Sequence, residues 1–287
     1  MKLSPQAVSL LQVAPFALVL LVFVVVPLAL VLVVSFFEFD MITGVVPAFT
    51  LQNYVDIFAS PITVSIYLDT LRYALIVWAI TLVLGFWIAY FLVFHVRSLT
   101  VAIGLFLVCT VPFWTSNIIR MISWVPLLGK FGLVNQTLMG LGIAGQPVEW
   151  LLFSDFAVIV AYVHLFTLFM IVPIFNSMAR IDPAIVEAAV DGGASRWGVI
   201  REIVIPLSRT GIALGSIFVI ALVMGDFFVV KVMSGGRSAS VVSTIFEDIN
   251  LLFYPTAAAN AVILLIIVLL MVSAILRIVD VRRELAG

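Results

Sequence analysis

An all-α membrane protein with six transmembrane helices is the fold class the sequence predicts, and three observations predict it. Hydrophobic residues make up 64% of the 287 and charged residues only 10%, for a mean hydropathy of +1.32. Six apolar stretches, 14–36, 71–95, 100–121, 156–176, 211–233 and 257–277, meet the roughly 20 residues that a bilayer-crossing helix needs. None alternates apolar and polar residues as a barrel strand must. Hydrocarbon offers no partner to a free backbone group, so helices are the expected form.

Taken in order, the first stretch is a retained span, because Ser35-Phe36-Phe37-Glu38 after it is too bulky for a signal-peptide cleavage site. Residues 1–60 read as this extra span with its outer loop, ahead of a five-span core over 61–287 that carries a polar loop at 177–210. In the outer loop Thr50 stands where a cap belongs, and Leu51, Tyr54, Val55 and Phe58 follow at i, i+3, i+4 and i+7. That pattern predicts a short helix lying on the outer face. Pro112 interrupts the third stretch and Arg120 ends it; Asp226 lies within the fifth. Between the third and fourth, Gly132, Gly140, Gly142 and Gly145 leave room for a short helix around 135–139. No internal repeat is evident.

Lys and Arg accumulate on the cytoplasmic side of membrane proteins. Lys2, Arg97, Arg180, Arg196, Arg201, Arg209, Arg277, Arg282 and Arg283, nine of the 14 basic residues, fall on one side of the six-span arrangement. The first outer loop instead holds Glu38, Asp40, Asp56 and Asp69. Both termini and the 177–210 loop are therefore expected in the cytoplasm. A net charge of −1 without a basic tract argues against nucleic acid as a partner. The single Cys109 cannot form an intrachain disulfide, and His95 and His164 are too far apart in the chain to suggest a metal site.

Within the polar loop, Asp182-Pro183 is a helix start: a capping carboxylate, then a residue that needs no amide hydrogen. Residues 184–190 are good helix formers, and Gly192-Gly193 permits the left-handed backbone that ends helices. Ser195 can cap a second helix through about Val204, which Pro206 would terminate. A helix–turn–helix below the membrane follows, with Trp197 as an apolar knob and Glu187, Arg196 and Arg201 as charges; a solvated loop with an ordinary Gly-Gly turn is the plainer alternative.

The spacing of this loop resembles the coupling loop of ABC importer permeases, and within them the spermidine/putrescine-type group. Its E-A-A…G…I-x-L-P pattern is met at Glu187, Ala188, Ala189, Gly193, Ile203 and Pro206, with Ile205 in place of the usual Leu. Phe49-Thr-Leu-Gln-Asn-Tyr54, Trp114-Thr-Ser-Asn-Ile-Ile-Arg120 and Gly225-Asp-Phe227 leading to Gly235-Gly236 resemble the same group. Members often carry Pro in the Gly-Asp-Phe segment, where this chain has Val229, Val230 and Lys231. The resemblance implies a type I importer permease bundle in the bacterial inner membrane and alternating access. It also implies partners: a second homologous permease, two ATPase subunits that bind ATP and Mg, and a periplasmic binding protein. The chain is then a transport subunit without catalytic residues or a cofactor of its own. The sequence agrees in one respect, because no G-x-x-x-x-G-K-[ST] phosphate loop is present. An ion-coupled carrier acting alone is the alternative of another class, and a non-transporting scaffold a third.

Candidates for the solute path are the polar and aromatic residues within the apolar stretches. Asp226 can attract a cation or pair within the protein, since a mid-bilayer charge costs about 2.5–3.5 kcal/mol unless it meets a partner or water. Arg120 can cap a gate or snorkel at its span end. Phe113 and Trp114 can form a cation platform or an interfacial aromatic belt. His164 can line the path or simply pack.

Overall fold

The computed structural model of the chain describes residues 5–41, 43–96 and 98–278. Of the cations that orient the sequence, Lys2, Arg97, Arg282 and Arg283 lie outside the described residues. The chain packs as two units, Met1–Val64 with Thr244–Ile266, and Ser65–Ser243 with Ile267–Gly287.

The first unit opens with α1 (Pro5–Leu20), which passes through a π turn at Leu21–Val25 into α2 (Val26–Val34). Proline explains the turn. Pro27 has no N–H for the carbonyl four residues back, and the wider turn bonds the Val26 N–H to Leu21 O instead. A hairpin follows, β1 (Phe37–Asp40) antiparallel to β2 (Gly44–Phe49), with a bulge at Phe37/Glu38. It is the one departure from an all-α chain among the described residues. Phe-Glu-Phe-Asp alternates with a period of two, and Asp40 Oδ1 closes the turn by accepting from the Thr43 N–H at 2.8 Å. The predicted outer helix is α3 (Gln52–Ala59), with the Thr50 hydroxyl accepting from the Gln52 N–H at 3.1 Å. Buried Asn53 ties it down by donating to Ser35 O and Phe37 O at 3.0 and 2.9 Å.

The second unit is the helical core. Its elements are α4 (Pro61–Phe94, entering from the first unit), α5 (Leu99–Thr110), a 3₁₀ turn at Val111–Trp114, α6 (Asn117–Ile122), α7 (Trp124–Leu128), α8 (Leu133–Gly140) and a 3₁₀ turn at Glu149–Leu151. Then come α9 (Asp155–Met178), α10 (Pro183–Asp191), α11 (Arg196–Val199), a π turn at Ile200–Val204, α12 (Ile205–Leu207), α13 (Arg209–Met224) and α14 (Phe228–Met233). Two helices, α15 (Val241–Asn250) and α16 (Tyr254–Ile278), complete the chain. Five helical runs are long and apolar enough to cross a membrane: Gln12–Val34, Pro61–Phe94, Asn117–Gly140, Asp155–Met178 and Tyr254–Arg277. A sixth is Arg196–Leu207 with Arg209–Met224, bent by 68° between its parts.

Two predicted spans are corrected. The third is not one helix over 100–121: Pro112 leaves the Val108 carbonyl without its helical donor, α5 stops at Thr110, and the chain tightens into the 3₁₀ turn before restarting at Asn117. The fifth is not continuous over 211–233, because α13 ends at Met224 and the chain restarts as α14 at Phe228.

The core of this unit is the pairing of α9 with α13. Gly211 and Gly215 lie four apart on α13, and a Cβ on them would stand 2.3 Å from Pro173 O and 2.7 Å from Met170 Sδ. Gly85 of α4 meets the same methionine: a Cβ there would lie 2.7 Å from Met170 Cγ. Glycine lets these backbones approach more closely than any other residue would, which is how helices gain van der Waals contact where lipid removes the hydrophobic drive. Buried Ala157, Ala161, Ile174, Val219 and Val223 fill the remaining seam.

Candidate functional site

The polar loop folds as local chemistry dictates. The Asp182 carboxylate accepts from the Ala184 N–H at 2.9 Å and Pro183 opens α10. At its end Gly193 takes φ +85°, and the Gly193 and Ala194 N–H groups return to Val190 O and Ala189 O at 2.9 Å each. Ser195 then caps α11 by accepting from the Gly198 N–H at 3.1 Å. One expectation fails: Pro206 does not end the second helix. The π turn bonds the Ile205 N–H to Ile200 O, absorbs the proline as at Pro27, and lets the helix run on to Leu207. The break comes at buried Ser208, whose hydroxyl donates to Val204 O at 2.6 Å.

This hairpin presents its surface outward. Glu187, Ala188, Arg196, Arg201 and Pro206 are exposed, while Ala189 and Ile203 are half-buried. Trp197 is 61% exposed, and Ile185 and Val190, which the sequence reading passed over, are 47% and 53% exposed. Three apolar side chains on a charged hairpin form a surface that this chain does not cover.

The predicted path residues fall at separate places. Asp226 is half-buried and occupied: its Oδ1 accepts from the Val229 N–H at 2.9 Å, capping α14, and from the Tyr162 hydroxyl at 3.2 Å. Arg120 is buried on α6 with one Nη against Asn117 Oδ1, and its Nε has no hydrogen-bond partner among the described residues. His164 is exposed on α9, where its Nδ1 accepts from the Trp124 indole at 3.1 Å. Trp114 is 88% exposed at the end of the 3₁₀ turn; the Phe113 side chain lies outside what is described.

Two features had no counterpart in the sequence reading. The first is a knot at the start of α9. Asp155 accepts from the Tyr73 hydroxyl at 2.6 Å and the Ser238 hydroxyl at 3.1 Å, with Arg72 at 3.6 Å. Beside it Phe153 holds φ +56°, and a Cβ on Gly235 would lie 2.7 Å from its ring. Nearby, Lys130 Nζ lies 2.6 Å from Glu149 Oε1 and holds that carboxyl below its usual range. The second is a groove beside α9 and α13 made of two contiguous clefts of about 700 and 660 Å³, which share Val172, Pro173 and Phe218. One reaches Trp114, Thr110 and Phe169; the other opens at Arg180, Asp182 and Ile185 where α10 begins.

With this geometry in hand, residues 100–284 match the family described as binding-protein-dependent transport system inner membrane component. The chain belongs to that family. It is therefore an inner-membrane permease, and the stand-alone ion-coupled carrier is set aside. This permease is 33% identical over 247 residues to the spermidine/putrescine transport system permease protein PotB of Escherichia coli, covering 85% of this chain and 87% of that one. It is 32% identical over 218 residues to the PotB of Haemophilus influenzae, with 76% and 75% covered. It is also 30% identical over 206 residues to the inner membrane ABC transporter permease protein YdcU of Escherichia coli, with 68% and 65% covered. In fold it is similar to a chain of a bacterial alginate ABC transporter in complex with its alginate pentasaccharide-bound periplasmic protein. There the TM-score is 0.75 at 17% identity, over 93% of this chain and 92% of the other. The permease has the type I ABC importer permease fold.

Proposed function

We propose that this permease carries a small nitrogenous cation, a polyamine in the first instance, from a periplasmic binding protein to the cytoplasm. It does so with a second permease and two ATPases, which bind the ATP and Mg. The placement of basic residues supports both termini in the cytoplasm. The polyamine reading draws on the PotB relatives, 33% identical over most of both chains.

The observation that carries the reading is the exposed hairpin of α10 to α12, whose ends are locked by Asp182, Gly193 and Ser195 and whose apolar residues Ile185, Val190 and Trp197 stand uncovered. A rigid hairpin with an uncovered apolar face fits a separate protein that pushes on it. Nucleotide-driven closure of the ATPases would move the hairpin, and each ligand must favour one of the two states for the coupling to work.

Gly193 supplies the test. A Cβ there would meet nothing within 4 Å, so a substitution acts only through its left-handed backbone and whatever docks outside. In proteoliposomes holding the whole complex, Gly193→Val is expected to retain ATP hydrolysis but lose most solute uptake, while Gly193→Asn, which tolerates positive φ, keeps more of it. Native uptake by Gly193→Val would remove the assigned role of the hairpin.

A further inference from the structure

The third span is broken in a place where lipid cannot be the neighbour. α5 has 12 residues, about 18 Å of helix against a hydrocarbon core of about 30 Å. After it come the 3₁₀ turn Val111–Trp114 and two irregular residues, Thr115 and Ser116, and both Trp114 and these two are exposed. Irregular backbone at membrane depth persists only against protein or against water. The depth can be read from the neighbours that share its cleft. Phe218 lies nine residues along α13 from Arg209 and Phe169 nine residues before the end of α9 at Met178, each about 14 Å of helix. That is close to the bilayer midplane.

The lining of this cleft has a definite chemistry. Trp114, Phe169 and Phe218 supply π faces, Thr110 a hydroxyl, and Leu168 and Val172 apolar wall. Among the described residues no charged side chain lines it; the charges Arg180 and Asp182 stand at the other end of the groove, beside α10. At the break, Pro112 leaves the Val108 carbonyl without a helical donor. Aromatic faces attract an ammonium group through the ring quadrupole, and the Thr110 hydroxyl oxygen can accept one of its N–H bonds. An anion would find no cationic side chain in this lining to offset the loss of its water.

From this we infer that the broken third span and the aromatic wall of Trp114, Phe169 and Phe218 form this chain's half of a mid-membrane recognition site for an organic ammonium group. The inference rests on the importer reading above and deepens it, because it takes cargo selectivity away from Asp226, whose carboxylate already caps α14 and holds Tyr162. The ammonium is held without a counter-charge in this chain. Its way out leads along the groove toward the polar mouth at Asn176, Ser177 and Thr210.

The test uses the whole complex in proteoliposomes, with spermidine and putrescine as probes. Trp114→Phe keeps a π face and Trp114→Leu keeps bulk without one. Uptake efficiency is expected to fall roughly five- to thirty-fold in Trp114→Leu and by less than about three-fold in Trp114→Phe, with hydrolysis preserved in both. A second arm places Trp114→Cys on a Cys109→Ser background and adds a membrane-impermeant maleimide. A path residue is labelled during turnover and protected by spermidine, whereas a lipid-facing or subunit-buried residue stays unlabelled. Native uptake by Trp114→Leu together with an unlabelled cysteine would overturn the site. If the native complex carries no polyamine, the cargo reading and the ammonium assignment both fall, and labelling still reports whether position 114 lines the path.

Discussion

Replacing Gly211 by alanine adds one methyl group where there is no room for it. Its Cβ would stand 2.3 Å from Pro173 O, 2.7 Å from Ser177 Cβ and 2.9 Å from Pro173 C. A carbon normally keeps about 3.5 Å or more from such neighbours, so the two helices must separate by about 1 Å. The obstacle is backbone and cannot swing aside as the end of a side chain would. Overpacking of this kind costs about 1–3 kcal/mol. For a domain of this size each kcal/mol moves the melting temperature by about 2–4 °C, so Gly211→Ala should melt about 2–12 °C lower than native. Gly104→Ala is the internal control. It also lies within a helix, a Cβ there meets nothing within 4 Å, and helix propensity favours alanine by up to about 1 kcal/mol. Tryptophan fluorescence of the purified complex in lipid nanodiscs, heated with each variant, measures both. The reasoning fails if Gly211→Ala melts at or above native, or if the two variants shift alike.

Other outcomes follow from the same geometry. Asp155→Leu should destabilise the second unit by about 1–3 kcal/mol by leaving the Tyr73 and Ser238 hydroxyls without their acceptor, and Asp155→Asn by less; thermal melting in nanodiscs reads both. Asp248 has its carboxyl pushed up by burial beside Asn260 on α16. A carboxyl raised on folding takes up its proton more readily in the native state, so stability falls as pH rises through its ordinary range and its raised folded value. Asp248→Asn should flatten that fall, and a native-like slope in melting temperature between acid and neutral pH would contradict the assignment.

What the sequence made legible was whatever rests on one residue and its immediate neighbours. The α10–α12 hairpin is such a case: Asp182, Gly193 and Ser195 each act within about three residues, and all three ends fall where the sequence puts them. Four of the six apolar stretches were equally plain, since composition alone separates them; the third and fifth are broken inside their apolar runs. Proline was harder. Pro206 reads as a helix stop by its lost N–H, yet a π turn five residues wide restores the ladder around it, and Pro27 is treated the same way. Pro112 has no such turn before it and does break its helix. The difference lies in whether the preceding turn can widen, which no single-residue preference encodes. Asp226 stayed open between attracting a cation and pairing within the protein, because its partners are a backbone N–H three residues on and a tyrosine 64 residues away. Gly211 and Gly215 likewise carry no local meaning until α9 lies against them.

The joint at Ser208 has a mechanical aspect. The second half of the α10–α12 hairpin meets α13 at 68°, and α13 is pressed against α9 through its glycines, so the hairpin is the short arm of a bell crank whose long arm is a pair of helices. The 16 residues of α13 make that arm about 24 Å long. A rotation of about 10° at the joint would sweep Met224 sideways by about 4 Å, nearly the width of a methylene chain. Just past that end sit the Asp226 cap and its bond to Tyr162, which turn with the arm because Tyr162 belongs to α9. Movement delivered to the hairpin would thus reach the far end of α13 as a displacement of aligned helices, with no need for any of them to unwind.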